Sequence, residues 1–565
     1  MNLLVAVLTP VLLALAWCMP AWRRMACALA PWAALPALLL ALTGEQAPLR
    51  LGTVLLGTVL ALDATGRVFL TFTALLWLAG GIHAAGHLAD DARRERFFLL
   101  WLATLTGNVG LILAQDVASF YLFFALMTFA AYGLVIHDGS DASRRAGRVY
   151  LTMAVLGEGL IVAGLVMAAS LTTTPLAPLL ADLPPAIAAA EGPAPVLACL
   201  IAGFGIKAGL PLLHMWLPLA HPVAPIPASA VLSGAMIKAG LLGWMATLPL
   251  GLAPLEAWGT VLMLTGLLAA FGGALVGVQQ GTPKTVLAYS SISQMGFITL
   301  AVGAALHSPA LWPVLAPVVA LYALHHGLAK GALFLAAGLE PRFGRAQWLL
   351  VALPGLSLAG LGASGMAAKL ALKDALHGAG SAWWSGLPLL LGCAAVGTTL
   401  LVARYLWLLV HKTHRGTASA AEWCGWGLAL AAGSLAVLLP VGLLWGESWP
   451  GRWPQSGADM FGLLWPVALG GALSLFAAGR LRAVAVPAGD VVVPVETGMR
   501  HLRTTGRRLR NHVESGLTAL NRALGNRVLH AARDKGVSAR LDRAFRRDAA
   551  LWLVGLVMVL IVLLQ

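Results

Sequence analysis

The feature that most constrains this chain is the recurrence of apolar stretches about 20 residues long, the length a helix needs to cross the hydrocarbon core of a bilayer. In lipid every backbone N–H and C=O must be bonded internally, which leaves helices and closed barrels. Unbroken apolar runs without period-two alternation select the helix. This ruler gives about sixteen spans, at 2–20, 26–43, 67–87, 97–114, 117–136, 148–170, 195–213, 224–248, 254–278, 285–304, 313–338, 350–371, 385–410, 423–446, 461–479 and 549–564. Composition agrees, with 59% hydrophobic and 11% charged residues and a mean hydropathy of +0.84. The chain reads as an all-α polytopic membrane protein, and a soluble globular domain is excluded.

The net charge of +14 does not indicate a nucleic-acid partner. Basic residues sit mostly in short loops and one C-terminal segment, where topology and anionic headgroups account for them. Loops after odd-numbered spans carry Arg23 and Arg24, then Arg93, Arg94 and Arg96, then Arg144, Arg145 and Arg148, whereas 171–195 carries none. Lys284, Arg342 with Arg345, Lys412 with Arg415, and Arg480 with Arg482 continue the pattern. The positive-inside rule then places the odd loops in the cytoplasm and both termini outside a bacterial cytoplasmic (inner) membrane. Lys373 is the exception, falling outside or within the membrane. Residues 49–66 alternate and are rich in Gly and Thr, the pattern of an outward extended hairpin. The first 20 residues lack a basic n-region and read as a retained first helix.

Cys18, Cys27, Cys199, Cys393 and Cys424 are scattered, with no CxxC or metal-ligand spacing. They are expected to be small apolar fillers. No phosphate-binding glycine loop, nucleophile elbow or metal cluster stands out, so neither a cofactor nor a catalytic centre is expected in this chain.

The chemistry is expected at ionisable residues inside the spans. In 203–240 (GFGIKAGLPLLHMWLPLAHPVAPIPASAVLSGAMIKAG), Lys207 and Lys238 bracket His214, His221 and the prolines Pro211, Pro218, Pro222, Pro225 and Pro227. Proline breaks a spanning helix, and the break is tolerated where the freed backbone is buried in protein or faces a wet cavity. Glu158, His325, His326, Lys330 and Lys369 also fall well inside spans. A lone lysine can snorkel to a helix end, and a lone histidine can bond a carbonyl. Several such groups in one bundle, each costing several kcal/mol in lipid, point instead to an ion or proton path. Buried lysine, histidine and carboxylate are the side chains suited to relaying protons near neutral pH.

Residues 497–549 differ from the rest. Arginines recur every three or four residues, and Leu502, Leu509, Val513, Leu517, Leu520 and Leu524 fall roughly on another face. This predicts a basic amphipathic helix along the membrane surface, interrupted by Gly506, Gly516, Gly525 and Gly536. A final anchor follows.

Three motifs carry a family resemblance: LAHPVAPIPASAVLSGAMIKAGLLG, PKTVLAYSSISQMGF and HHGLAKGALFLAAG. Together they resemble the antiporter-like membrane subunits of respiratory complex I, Mrp cation/proton antiporters and membrane-bound energy-converting hydrogenases. The likeness is strongest to the hydrogenase-4 component B and formate hydrogenlyase branch. It covers about 95–375.

The resemblance implies two inverted five-helix repeats, each with a broken helix, the seventh and twelfth spans here. The divisions expected are 1–94, a first repeat at 95–250, a second at 251–412, accessory spans at 413–490, the lateral helix at 491–548 and the anchor at 549–565. By motif, Lys207 matches the broken-helix lysine, Lys238 the lysine of the next helix, and His326 the central histidine with Lys330 beside it. Lys369 matches the terminal lysine of the second repeat, and His325 is an accessory.

The family's helix-five glutamate is replaced by Ala125 in FFALMTFAAYG, and Leu219 stands where relatives often carry an acid. Glu158, the only acid deep in the first repeat, is the expected substitute partner of Lys207. The implied function is proton translocation within a multisubunit oxidoreductase-type complex, alongside other membrane subunits and soluble redox subunits. A cation/proton antiporter without redox partners, an inorganic-carbon uptake subunit and a scaffold are the alternatives.

Overall fold

A computed structural model describes residues 2–44, 47–53, 55, 57–339, 345–377, 386–411, 418–435, 451–477 and 486–489. Two compact units divide the chain, Met1–Ala488 and Gly489–Gln565. The basic lateral helix expected at 491–548 and the anchor expected at 549–565 lie outside the described residues.

The described chain is almost wholly helical, as its apolar pattern requires. It opens with α1 (Asn2–Cys18), α2 (Arg23–Leu29), α3 (Leu35–Thr43), α4 (Ala64–His87), α5 (Arg94–Leu113), α6 (Val117–Val135) and α7 (Asp141–Ser170). A short α8 (Leu183–Ala189) precedes α9 (Ala194–Ala208), α10 (Trp216–Val223), α11 (Ile226–Val231) and α12 (Lys238–Thr247). Then come α13 (Glu256–Gly277), α14 (Pro283–His307), α15 (Trp312–Ala336), α16 (Arg345–Ala359), α17 (Ala363–His377), α18 (Leu387–Val410), α19 (Ala420–Leu435) and α20 (Gly457–Ala477). Among the described residues twelve helical stretches are long and apolar enough to cross a membrane, counting α2 with α3, α11 with α12 and α16 with α17 as one stretch each.

The differences from the sequence reading lie at breaks. The second span is bent by a 3-10 turn at Ala30–Trp32, where Pro31 falls in the first turn and Pro36 restarts the helix. The seventh span ends early, at Ala208, and a separate α10 follows the break; the eighth is α11 and α12 joined by a π turn, and the twelfth is α16 with α17. The succession of three long helices, a broken helix and a closing one therefore occurs twice, in α5–α12 and again in α13–α18.

Capping explains the starts. Asp63, Asp116, Ser140 and Thr282 each precede a helix and accept from a backbone N–H in its first turn. Asp116 also accepts from Val59 N at 2.8 Å. It thereby ties the start of α6 to the expected hairpin, β1 (Leu49–Leu51) paired antiparallel with β2 (Thr58–Leu60).

Contacts between loops fix which ends lie together. Leu113 O accepts from Ala61 N, and Leu179 bridges Asp116, so the end of α5, the start of α6 and the stretch after α7 share one end of the bundle. At the opposite end Arg93 and Arg96 both donate to His137 O, at 2.9 and 2.7 Å. Lys284 joins that basic end by donating to Ala224 O at 2.7 Å. Lys373, the exception to the charge pattern, donates to Gly462 O at 2.9 Å. Asp374, beside it, pairs with Arg452, which also pairs with Asp459 at 2.6 Å.

Candidate functional site

The first polar centre is built on the break between α9 and α10. Gly209 ends α9 in the left-handed region at φ 84°, which costs glycine nothing. The amides of Gly209 and Leu210 both return to Gly205 O at 2.9 Å, so the Ile206 carbonyl is left over. The indole of Trp216 donates to it at 2.8 Å. Lys207, two residues before the break, is 5% exposed and donates through Nζ to Thr128 Oγ1 at 3.1 Å. Its ammonium lies 5.8 Å from the Phe124 ring centroid and 5.9 Å from that of Tyr150.

Glu158, itself 5% exposed, lines the same cleft as Thr128, and its Oε2 has no hydrogen-bond partner. The threonine of α6, the lysine of α9 and the carboxylate of α7 line this cleft with Tyr150, Ile206 and Trp216.

The second centre is fully buried. Between α11 and α12 a π turn at Leu232–Met236 sends Ile237 N to Leu232 O. Such turns free backbone groups and often mark functional positions. Here the freed Ser233 carbonyl accepts from Lys238 Nζ at 2.7 Å. Ser233 Oγ meets Ser291 Oγ at 2.7 Å, Ser291 donates to Leu287 O at 2.9 Å, and Lys330 Nζ donates to the same carbonyl at 3.0 Å. Two lysines on separate helices are thus connected through two serines of α14 and the π turn. His326 lies within electrostatic reach of both lysines, and neither of its ring nitrogens has a hydrogen-bond partner. His221 is placed likewise, with its ring stacked on Phe334 at 4.6 Å.

The third centre lies at the break between α16 and α17, where Gly360 and Gly362 adopt φ 109° and 93°. His325 Nδ1 meets Ser364 Oγ at 2.9 Å just past the break, and Ser364 donates to Gly433 O at 3.1 Å. Lys369 donates to Ala359 O, the last carbonyl of α16, at 3.1 Å. Its ammonium faces the Phe297 ring at 5.6 Å. Lys369 and Lys373, one turn apart, line a second cleft with Phe297, Leu391 and Leu463. His325 is within electrostatic reach of Lys369 on one side and Lys238 on the other.

Residues 114–349 match the family described as NADH:quinone oxidoreductase/Mrp antiporter, transmembrane. Over those residues the chain is similar to the transmembrane part of that family. Hydrogenase-4 component B of Escherichia coli (strain K12) is 35% identical over 302 residues, which is 49% of this chain and 43% of that one. NADH-quinone oxidoreductase subunit N of Desulforudis audaxviator (strain MP104C) is 32% identical over 298 residues, 50% of this chain and 56% of that one. The chain spans about half the length of the curated relatives it matches. In fold it is similar to a chain of the Mrp complex from Dietzia sp. DQ12-45-1b, with a TM-score of 0.68 and 21% identity, covering 92% of this chain and 61% of that one.

The helices bring the sequence-derived residues into three groups: Glu158 with Lys207, Lys238 with Lys330 and His326, and His325 with Lys369. No side-chain hydrogen bond joins Lys207 to the central group among the described residues. The break segment between them holds His214, whose ring meets Tyr289 of α14 at 6.4 Å. Thr128, Ser233, Ser291 and Ser364 were not singled out by sequence, although Ser233 and Ser291 lie inside the motifs that carry the resemblance.

Proposed function

We propose that this chain is a proton-translocating, antiporter-like membrane subunit of a multisubunit energy-converting complex. We place it in a bacterial cytoplasmic membrane with both termini on the outer face. The supporting observation is the succession of buried ionisable groups across the domain, from the Glu158–Thr128–Lys207 cleft through the Lys238–Ser233–Ser291–Lys330 connection to His325 and Lys369. Uncompensated charges are expensive in a bilayer, and buried groups arranged in series supply proton-holding positions.

In this reading Lys207 is the pivot of the first repeat (95–250) and Lys369 that of the second (251–412). Residues 1–94 and 413–490 flank them. Thr128 relays between Glu158 and Lys207. A carboxylate close to an ammonium favours the ion, so drawing Glu158 away from Lys207 would release the proton toward the centre. Driving energy would come from soluble redox subunits acting through neighbouring membrane subunits.

The test is the purified complex reconstituted in vesicles, with acidification followed by a pH-sensitive dye. Lys207→Ala should abolish pumping while the complex still assembles. Unchanged pumping by that variant would remove the reading.

A further inference from the structure

A separate polar cluster lies at the basic end of the bundle, away from the three centres. His83 and His87 are four residues apart near the end of α4, which sets them on one face of the helix. Glu422 reaches them from the first turn of α19. His87 Nδ1 stands 3.0 Å from Glu422 Oε1, and the candidate donor atoms of all three residues lie within 4.8 Å of one another.

The helices come close enough for this because two positions lack side chains. A Cβ at Gly425 would meet His83 N at 2.6 Å, and one at Gly86 would meet Ser419 Oγ at 2.1 Å. The carboxylate is held in place from behind, since Glu422 Oε2 accepts from Ser419 N at 2.7 Å and from Ser419 Oγ at 2.9 Å.

His83 is 0% exposed, and neither ring nitrogen makes a hydrogen bond. The Leu335 carbonyl approaches the ring without completing one. Leaving a buried polar group unsatisfied is costly, so an imidazole placed this way beside a second imidazole and a braced carboxylate calls for a ligand.

We propose that His83, His87 and Glu422 form a binding site for a divalent transition-metal ion, Zn²⁺ by the chemistry of the donors. Two imidazole nitrogens and one carboxylate oxygen make a borderline set that suits Zn²⁺ and disfavours Mg²⁺ and Ca²⁺. Ligand bonds of about 2.0–2.2 Å in a tetrahedron put donors about 3.4 Å apart. The His87–Glu422 pair is already near that spacing at 3.0 Å, and the widest pair has to close from at most 4.8 Å, within reach of side-chain rotation. The nitrogen of His83 not on the metal then has the Leu335 carbonyl as its acceptor, the second-shell arrangement usual for a metal-bound histidine. His87, 28% exposed at its side chain, marks the way in, and water fills the fourth position. The ion would clamp α4 to α19 where both pack against α15, the helix that carries His325, His326 and Lys330.

The experiment uses the full chain in detergent, stripped with a chelator and titrated with Zn²⁺ alone. One ion should bind per chain, and Co²⁺ in its place should give the visible absorption of a four-coordinate site. His87→Asn and Glu422→Gln should each weaken binding at least about tenfold. Thermal melts without metal should show both variants folded, and added Zn²⁺ should raise the melting temperature of the parent chain only. No stoichiometric binding by the parent chain, or unchanged affinity in the doubly substituted chain, would overturn the site.

Discussion

Lys207 and Glu158 share one cleft with a single hydroxyl, that of Thr128, to which the lysine donates at 3.1 Å. The acid is on α7 and the hydroxyl on α6, one turn past Ala125, so the polar partner of the lysine is divided between two helices.

Thr128→Val keeps the shape and removes the hydroxyl. Lys207 is then left short of a partner in a buried cleft, at a cost of about 1–3 kcal/mol. If that cost enters the barrier for proton movement, the rate falls by about tenfold for each 1.4 kcal/mol. Thr128→Ser should retain most of the activity. Vesicle acidification by the reconstituted complex measures both, and equal rates in Val and Ser would show that the hydroxyl is not used.

The central connection makes a prediction about coupling. Ser233 and Ser291 touch each other, Lys238 donates to the Ser233 carbonyl, and Lys330 shares the Leu287 carbonyl with Ser291. Ser233→Ala and Ser291→Ala should therefore be non-additive in pumping rate, with an interaction energy of about 0.5–3 kcal/mol in a double-mutant cycle. Independent effects would mean that protons do not cross at these hydroxyls.

Much of this architecture is legible in the sequence because it rests on local rules. Apolar length marks most of the spans, and the prolines of 203–240 mark the break at 209–215, whereas the break at 360–362 is expected only from the resemblance. Among the described basic loops, Arg93, Arg96 and Lys284 all bind backbone carbonyls. The hydroxyls are not legible. A serine in an apolar helix ordinarily bonds its own backbone, as Ser291 does to Leu287 O, and nothing in its flanks shows that it also meets Ser233, 58 residues away. Likewise the His83–His87 spacing is visible, whereas Glu422 lies 335 residues from His87 and is joined to it only by packing.

The break at Gly209 gives a stability prediction. Its φ of 84° is open to glycine and strained for an L side chain, and a Cβ there would meet nothing closer than 3.9 Å. Gly209→Ala should therefore cost about 1–2 kcal/mol through backbone strain alone, with no steric clash. A lowered melting temperature with pumping retained per folded complex is the expected result. An unchanged melting temperature would show that the turn relaxes without cost.

Asp91 gives a pH dependence outside the membrane. Burial raises its carboxyl, but the Arg93 amide, the His137 ring and the Arg93 charge outweigh it and hold the group below the ordinary carboxylate range. A depressed value means that the stabilisation is complete above the unfolded value of about 3.9 and is lost as pH falls through the native one. The Asp91 side chain is 32% exposed, so solvent screening keeps the effect within about 1 kcal/mol. The melting temperatures of the parent chain and Asp91→Asn should differ at pH 6 and converge as pH drops below about 4. A difference that persists at acid pH would place the effect in packing.

The most demanding prediction is a transfer of the acid between helices. Ala125 and Thr128 are three residues apart on α6 and so share a face, and Ala125 is only partly buried, leaving room for a longer side chain. Glu158→Gln removes the charge near Lys207 and should lower pumping severely while preserving volume. Adding Ala125→Glu to that variant returns a carboxylate to the same cleft from α6, and pumping should recover in part. Recovery would show that Lys207 needs a nearby carboxylate and tolerates either helix as its source. If the double variant stays inactive while assembling normally, the carboxylate must act from α7, and the role of Glu158 is tied to movement of that helix rather than to charge alone.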